Sequence, residues 1–361
     1  MADLDIFAGP RAFQRLRDEG LQASQVGIIP AAAGGPKGLI FQALDQYLFG
    51  QWLPAAPRPR DLIGSSIGAW RMAAACHADP VAAFARLGEQ YCGQRYTAKP
   101  SPQEIDAVVR RLLAQFIDGH EDEVLAHPRH RLYVIAVRGL RALAAPGHRR
   151  AELSGFARAA LVNLVARRHL TRWMERVVIA SDGALPAWMN DAFDPFTSHA
   201  VRLTQDNLHA ALLASGTLPL IMQPVRAIAG APDGSYWDGG LIDYNLALPY
   251  ARSRDLVLYP HFHRHIAPGW LDKGLPWRRM ARSPLRHWLD NMIVVAPSAA
   301  FLRRLPGGKL PDRKDFTAYG LDHDGRIRAW QQAIGEGQRL RDAFAGFVRQ
   351  PDLGRVAPLC P

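Results

Sequence analysis

The sequence predicts an α/β fold, and three observations carry that prediction. Short clusters of β-branched apolar residues alternate with longer stretches of helical periodicity. A strand, a helix, a second strand and a second helix follow one another within about fifty residues, which is the layout of a βαβ unit with parallel strands. No uninterrupted apolar run approaches the roughly 18 residues that a membrane-crossing helix needs; the most apolar stretch, Ala210 to Val225, is broken by Pro219 and Pro224. With 361 residues and 48% hydrophobic content the chain can bury a sizeable core, so wholesale disorder and a fibrous repeat are excluded.

The elements follow in order. Val26-Gly27-Ile28-Ile29 reads as a short buried strand ending at Pro30. Gly38 to Trp52 then reads as a helix, with Leu39, Ile40, Ala43, Leu44, Tyr47 and Leu48 on one face. Asp61-Leu62-Ile63 is a second strand and Ile67 to Cys76 the helix after it. Pro80 to His127 is mostly helical, Arg131 to Arg138 is a strand, and Leu153 to Met174 is a long helix. Further strands are expected at Arg176 to Ala180, Ala200 to Leu203, Val225 to Ala229 and Asp255 to Tyr259. From His261 to Asp324 the chain turns rich in Pro, Trp and Arg with little periodicity, and Gly325 to Arg349 resembles a terminal helix. The organisation expected is one α/β domain over residues 20–260, with an irregular and helical C-terminal extension, 261–361, packing back on it.

Net charge is +11, but only five of the 44 basic residues are lysines, at positions 37, 99, 273, 309 and 314. The arginines are dispersed, with mild clusters at Arg167-Arg168-His169-Arg172 and Arg278-Arg279-Arg282-Arg286. No zinc-finger, RRM or bZIP pattern accompanies them, so no nucleic acid is expected as a partner. Attraction to an anionic lipid surface fits the charge at least as well. Trp270, Trp277 and Trp288 interleave with the second arginine cluster and His287, which makes a membrane-facing lip one reading and ordinary packing of the indoles on the core the other. Cys76, Cys92 and Cys360 are odd in number and widely spaced, which argues against a disulfide framework or a cysteine zinc site. Met1 to Gly20 lacks the layout of a signal peptide, so the expected location is the cytoplasm, with peripheral contact at the inner membrane face.

Three short motifs carry the chemistry. Gly64-Ser65-Ser66-Ile67-Gly68 is a G-x-S-x-G pentapeptide placed after a predicted strand and before a predicted helix. A sharp strand-to-helix turn exposes the serine hydroxyl, and glycines two residues to either side let the strand and helix approach. Ser66 is the candidate nucleophile and Ser65 occupies a variable position. Upstream, Gly34-Gly35-Pro36-Lys37-Gly38 also follows a strand and opens a helix. Such a turn presents backbone N–H groups to an anion, either a bound phosphate or the oxyanion of acyl transfer. Pro36 has no N–H, so Gly34, Gly35 and Lys37 are the donors, joined by Ile67. The Lys37 side chain is expected to fold back onto nearby carbonyls and hold the loop. Neither a Walker A loop nor G-x-G-x-x-G is present. The third motif, Asp238-Gly239-Gly240, offers a carboxylate that can accept the serine proton without an intervening histidine. A His base remains an alternative, from His261, His263, His265, His287 or His323. His261-Phe262-His263-Arg264-His265 also raises a metal site, although no acidic or Cys ligand lies nearby in sequence. No D-x-[DN]-x-[DN]-G calcium loop occurs, and no cofactor is expected.

Taken together, the glycine loop about 31 residues before G-x-S-x-G, and the D-G-G after it, resemble the patatin-like phospholipase family. Ala214-Ser215-Gly216-Thr217-Leu218-Pro219, leading to Gln223-Pro224-Val225, is similar to that family's A-S-x-A-x-P segment. The resemblance covers roughly residues 24 to 260. It departs at Ala33, where the family commonly has the first Gly of its glycine run, and Pro36 holds the variable position. The resemblance implies a three-layer α/β/α fold with a central, mostly parallel sheet, a Ser66–Asp238 dyad, and hydrolysis of acyl esters in phospholipids or neutral lipids. The rival expectation is a catalytically weak lipid-binding protein with the same fold.

Overall fold

The computed structural model describes residues 3–360. Ten strands form one mixed, mostly parallel sheet: β1 (Leu4–Ala8), β2 (Val26–Ala31), β3 (Arg60–Ser65), β4 (His130–Gly139), β5 (Met174–Ala180), β6 (Ser198–Arg202), β7 (Tyr236–Asp238), β8 (Leu256–Pro260), β9 (Met292–Pro297) and β10 (Val356–Pro358). Their order is β10-β1-β9-β8-β2-β3-β4-β5-β6, and β7 pairs with β4. Strands β9, β8, β2, β3 and β4 run parallel, and every residue of β2, β3, β8 and β9 is buried. Helices cover both faces, which explains why these strands read as continuous apolar runs rather than as alternations. One layer contains Pro80–Cys92, His323–Glu336 and Gln338–Arg349. The other contains Arg149–Val165 and the short turns after residue 267. The expected three-layer α/β/α class is the observed one.

Several elements differ from expectation. The sheet runs across residue 260: β9 lies inside the segment read as irregular and pairs with β8, while β1 and β10 extend the same edge. Residue 260 is therefore no edge of the sheet. The run Met292-Ile293-Val294-Val295 carried the strand signal, but its Pro- and Trp-rich flanks masked it. Val225 to Ala229 forms no strand; Val225 alone bridges Tyr236, and the pairing partner of β4 is β7. The helix after β2 opens as a 3-10 turn at Gly35–Phe41, continues as Gln42–Tyr47 and ends in a π turn at Leu48–Trp52. The expected long helix ends at Val165 and gives way to a 3-10 segment, Arg167–Arg172. The terminal helix is two helices meeting at Gly337, where a Cβ would stand 2.3 Å from the Ile40 carbonyl oxygen.

Candidate active site

Parallel strands deliver their loops to one edge of the sheet, and in open α/β sheets that carboxyl edge is where sites are built. The loop after β2 carries Gly34 and Gly35, and the loop after the adjacent β3 carries Ser66. Register completes the placement: Ser65 lies opposite Ile135 on β4, and Ala136, the next residue, lies opposite Asp238 on β7. Residues far apart in sequence thus end at one point.

Ser66 sits between β3 and the helix Ile67–Ala74 with φ 58° and ψ −133°. Positive φ in a residue with a Cβ costs on the order of 1–3 kcal/mol and persists only where neighbours enforce it. Here two glycines and a serine do so. A Cβ on Gly68 would lie 1.9 Å from the Ala31 carbonyl oxygen, and one on Gly64 would lie 2.4 Å from the Ala69 backbone. Ser215 holds the turn from the other side: its Oγ accepts the Ser66 N–H at 2.9 Å and donates to the Ile135 carbonyl at 2.6 Å. Thr217 accepts the Asp238 N–H at its carbonyl, 2.8 Å away, and Gly239 N–H reaches the Ser215 carbonyl at 3.3 Å. The segment 214–219 therefore ties nucleophile and base to one frame. Its roles were not legible in the sequence, although the segment itself stood out.

Asp238 is 3% exposed. Burial pushes its pKa up to about 6, while the Ser66 side chain, the Gly240 N–H and the Arg313 charge act in the opposite direction. The Gly240 N–H donates to Oδ1 at 2.7 Å, and a Cβ on Gly239 would stand 2.2 Å from the Ile135 carbonyl oxygen. Asp243, one turn later, forms a buried ion pair with Arg176 at 2.6 Å that fixes the helix following the motif.

Gly34, Gly35, Lys37 and Ile67 line the same cavity as Ser66 and Asp238. Among the described residues, no protein acceptor takes the Gly34, Gly35 or Ile67 amide, so these donors are open to an anion, whereas the Lys37 amide, expected as a donor, is directed at the Gly34 carbonyl by the 3-10 turn. Gly34 needs its missing side chain because a Cβ would meet the Phe262 ring at 2.5 Å, and Gly35 has φ +56°. Gly38 packs beside Ile67 and Arg71. Arg71 forms a buried bidentate pair with Asp45, both bonds 2.8 Å, which locks the helix after Ser66 to the helix after the glycine loop. The Lys37 ammonium does not fold back onto carbonyls as expected; it lies 5.7 Å from the Phe262 ring centroid, and Lys37 is one of the residues that line the cavity.

The cavity holds about 470 Å³. Ile105, Val109 and Leu112, spaced along one face of the helix Pro102–Ile117, line it together with Leu218, Ile221 and Met222. That apolar wall is of the kind that takes an acyl chain. No histidine lines the cavity among the described residues. His261 is buried on Asn245, at 2.9 Å, and the His261–His265 segment forms no cluster of convergent metal ligands. His77, His120 and Glu123 do converge, but the Arg86 guanidinium stands 3.2 Å from a ring nitrogen of each histidine and supplies a cation there. The tryptophans expected to form one lip separate: Trp270 lines the cavity, Trp277 is exposed and Trp288 is buried against Phe193. Among the described residues, no helix is long and apolar enough to cross a membrane. No family model matches the chain, and neither a curated protein nor a solved structure matches it.

Proposed function

We propose that the protein is a serine acyl-ester hydrolase acting on lipids, of the patatin-like type, with a Ser66–Asp238 dyad. The observation that carries this reading is a serine held at positive φ in a glycine-walled strand-to-helix turn, with its side chain against a buried carboxylate. The cavity supports it by placing open amides on one side of that serine and an apolar wall on another.

In the proposed mechanism Asp238 accepts the Ser66 hydroxyl proton as Oγ attacks the ester carbonyl. The amides of Gly34, Gly35 and Ile67 take the oxyanion; each such donor contributes ~3 kcal/mol to the transition state. Asp238 then gives its proton to the leaving alkoxide as the ester C–O bond breaks. A water that surrenders a proton to Asp238 attacks the acyl-enzyme, and Ser66 recovers its proton on release of the acid. A carboxyl group with its pKa near 6 suits both directions of transfer, since general acid–base groups work best with a pKa close to the working pH.

The test is labelling with a fluorophosphonate probe, which reports an activated serine without the natural substrate. Labelling is expected in the wild type, absent in Ser66→Ala, lost at least 100-fold in Asp238→Asn, and retained in His263→Ala. Loss in the His variant with Asp238→Asn unaffected would replace the dyad with a His-assisted mechanism. Absence of labelling in folded wild type, with anionic liposomes present, would favour a lipid-binding protein that lacks catalysis.

A further inference from the structure

Three of the chain's five lysines, Lys37, Lys273 and Lys314, line the cavity that contains Ser66, and Arg313 stands among them. They come from three separate segments, so no run of basic sequence accounts for their meeting. Among the described residues, none of the four makes an ion pair within 4.0 Å. Two buried cations meet carboxylates closely, Arg71 with Asp45 and Arg176 with Asp243 and Asp194, while buried Arg60 and Arg326 make no ion pair among the described residues and rest on carbonyls and rings. In the cavity the cations lie over aromatic rings instead: Lys273 is 5.6 Å from the Trp270 centroid and 5.9 Å from that of Tyr244, and Arg313 is 5.1 Å from that of Trp270. One guanidinium nitrogen of Arg313, Nη1, is buried with no hydrogen-bond partner.

Like charges brought together disfavour one another unless an anion joins them. Lys273 registers that strain: burial, then Arg313, Lys37 and Lys314, depress its pKa below the ordinary value. The carboxylates in the cavity are Asp312 and Asp238. Asp312 is shared, since it sits 3.3 Å from the Lys309 ammonium and accepts the Lys314 N–H at 2.7 Å. Four cations against these two carboxylates, one of them shared with Lys309, leave a surplus of at least two positive charges. A phosphate monoester carries about −1.5 to −2 at neutral pH and offers three acceptor oxygens, so it matches the surplus better than a carboxylate or a phosphodiester does.

We infer that Lys37, Lys273, Arg313 and Lys314 form an anion subsite that selects acyl esters carrying a phosphate monoester. The inference deepens the acyl-hydrolase reading and rests on it for the ester part, while anion binding stands by itself. The apolar wall then receives the acyl chain, the ester carbonyl lies at Ser66, and the phosphate lies against the basic wall.

The test compares monomeric hexanoyl glycerol phosphate with neutral monohexanoyl glycerol, so that no lipid surface is present to attract the protein's bulk charge. Wild type is expected to show at least a 10-fold higher kcat/KM for the phosphate ester. Lys273→Gln/Lys314→Gln is expected to lower that ratio to about 3 or less, whereas Arg17→Gln/Arg349→Gln, which removes two charges remote from the cavity, keeps it. Binding is read separately by calorimetry on Ser66→Ala protein, with inorganic phosphate, glycerol phosphate and hexanoyl glycerol phosphate as titrants. Tighter binding of the acylated compound identifies a lipid phosphate as the ligand, and equal binding of glycerol phosphate a free phosphate monoester; either supports the subsite. A wild-type ratio near one, a ratio that survives the double lysine variant, or a preference seen only with phosphatidate vesicles would overturn it. Should fluorophosphonate labelling fail as well, the calorimetric arm still decides anion binding, so failure of the hydrolase reading is distinguishable from failure of the subsite.

Discussion

The turn around Ser66 and the basic side chains that line the same cavity are built on opposite principles. The turn is crowded: Gly64 and Gly68 each lack room for a single carbon, and Ser215 ties the Ser66 N–H to the Ile135 carbonyl by one hydrogen bond to each. The wall is under-partnered, with four cations drawn from segments around 37, 273 and 313–314 and no ion pair among them. A reacting group must be held to a fraction of an ångström, which requires rigid backbone and close packing. A group that attracts a ligand's charge acts over a longer range and is left open for the ligand to complete. Stability should therefore be sensitive at the turn and nearly indifferent at the wall, while ligand choice should show the reverse.

The largest expected effect tests the crowded side. In Gly68→Ala the new Cβ meets the Ala31 carbonyl oxygen, so β2 and the helix after Ser66 must separate. The expected loss is ~3 kcal/mol or more in urea unfolding. The exposed Lys314→Gln should stay within about 0.5 kcal/mol of wild type in the same measurement. Similar losses at the two positions would erase the contrast.

Asp238→Asn sharpens it from another angle. Because the folded-state pKa of Asp238 is raised to about 6, the native protein holds a proton that the unfolded chain releases. Its favourable contribution is complete below the ordinary carboxylate pKa and is lost as pH rises through about 6, on the order of 2–3 kcal/mol at neutral pH. An amide removes the buried charge and keeps an acceptor for the Gly240 N–H. Asp238→Asn is expected to gain roughly 1–2 kcal/mol at pH 7.5 and nothing at pH 4, while losing activity. Equal stability change at both pH values would show that Asp238 does not titrate as the buried base. The same shift places the acid limb of kcat/KM near pH 6 in wild type.

Ser215→Ala has a smaller effect on activity than Asp238→Asn. It deprives the Ser66 N–H and the Ile135 carbonyl of their shared partner, which costs about 1–2 kcal/mol. The turn is retained by the glycines, so kcat should fall about 10-fold with KM little changed. A change in KM alone would place Ser215 on the binding side.

Much of the sheet and the motif positions were legible because local chemistry dictates them. Val26-Gly27-Ile28-Ile29 and Asp61-Leu62-Ile63 are short apolar runs closed by turn residues, and they form β2 and β3. Strand β9 escaped because its apolar run sits between Asn291 and Pro297 in a segment dominated by Pro, Trp and Arg. Val225 to Ala229 misled because β propensity describes fit to a half-buried surface, and only Val225 has a partner there. Ser215 and Thr217 act through backbone atoms of remote residues, which no local pattern encodes. Lys37 lay in a recognised motif, yet its ammonium meets the face of Phe262, a residue 225 positions away, rather than the carbonyls of its own loop.

By itself the sequence determined the alternation of strand and helix, the parallel pairing that follows from it, and the three turns at 34–38, 64–68 and 238–240. Each is set by residues within a few positions of one another, through steric room at glycine and the burial of β-branched side chains. Tertiary structure decided that Asp238 is buried against Ser66, that Ser215 joins the two, and that Lys37, Lys273, Arg313 and Lys314 share one cavity. Those arrangements depend on strand register and on the packing of segments up to about 280 residues apart, and the electrostatics that give them their chemistry arise only when water is excluded from between them.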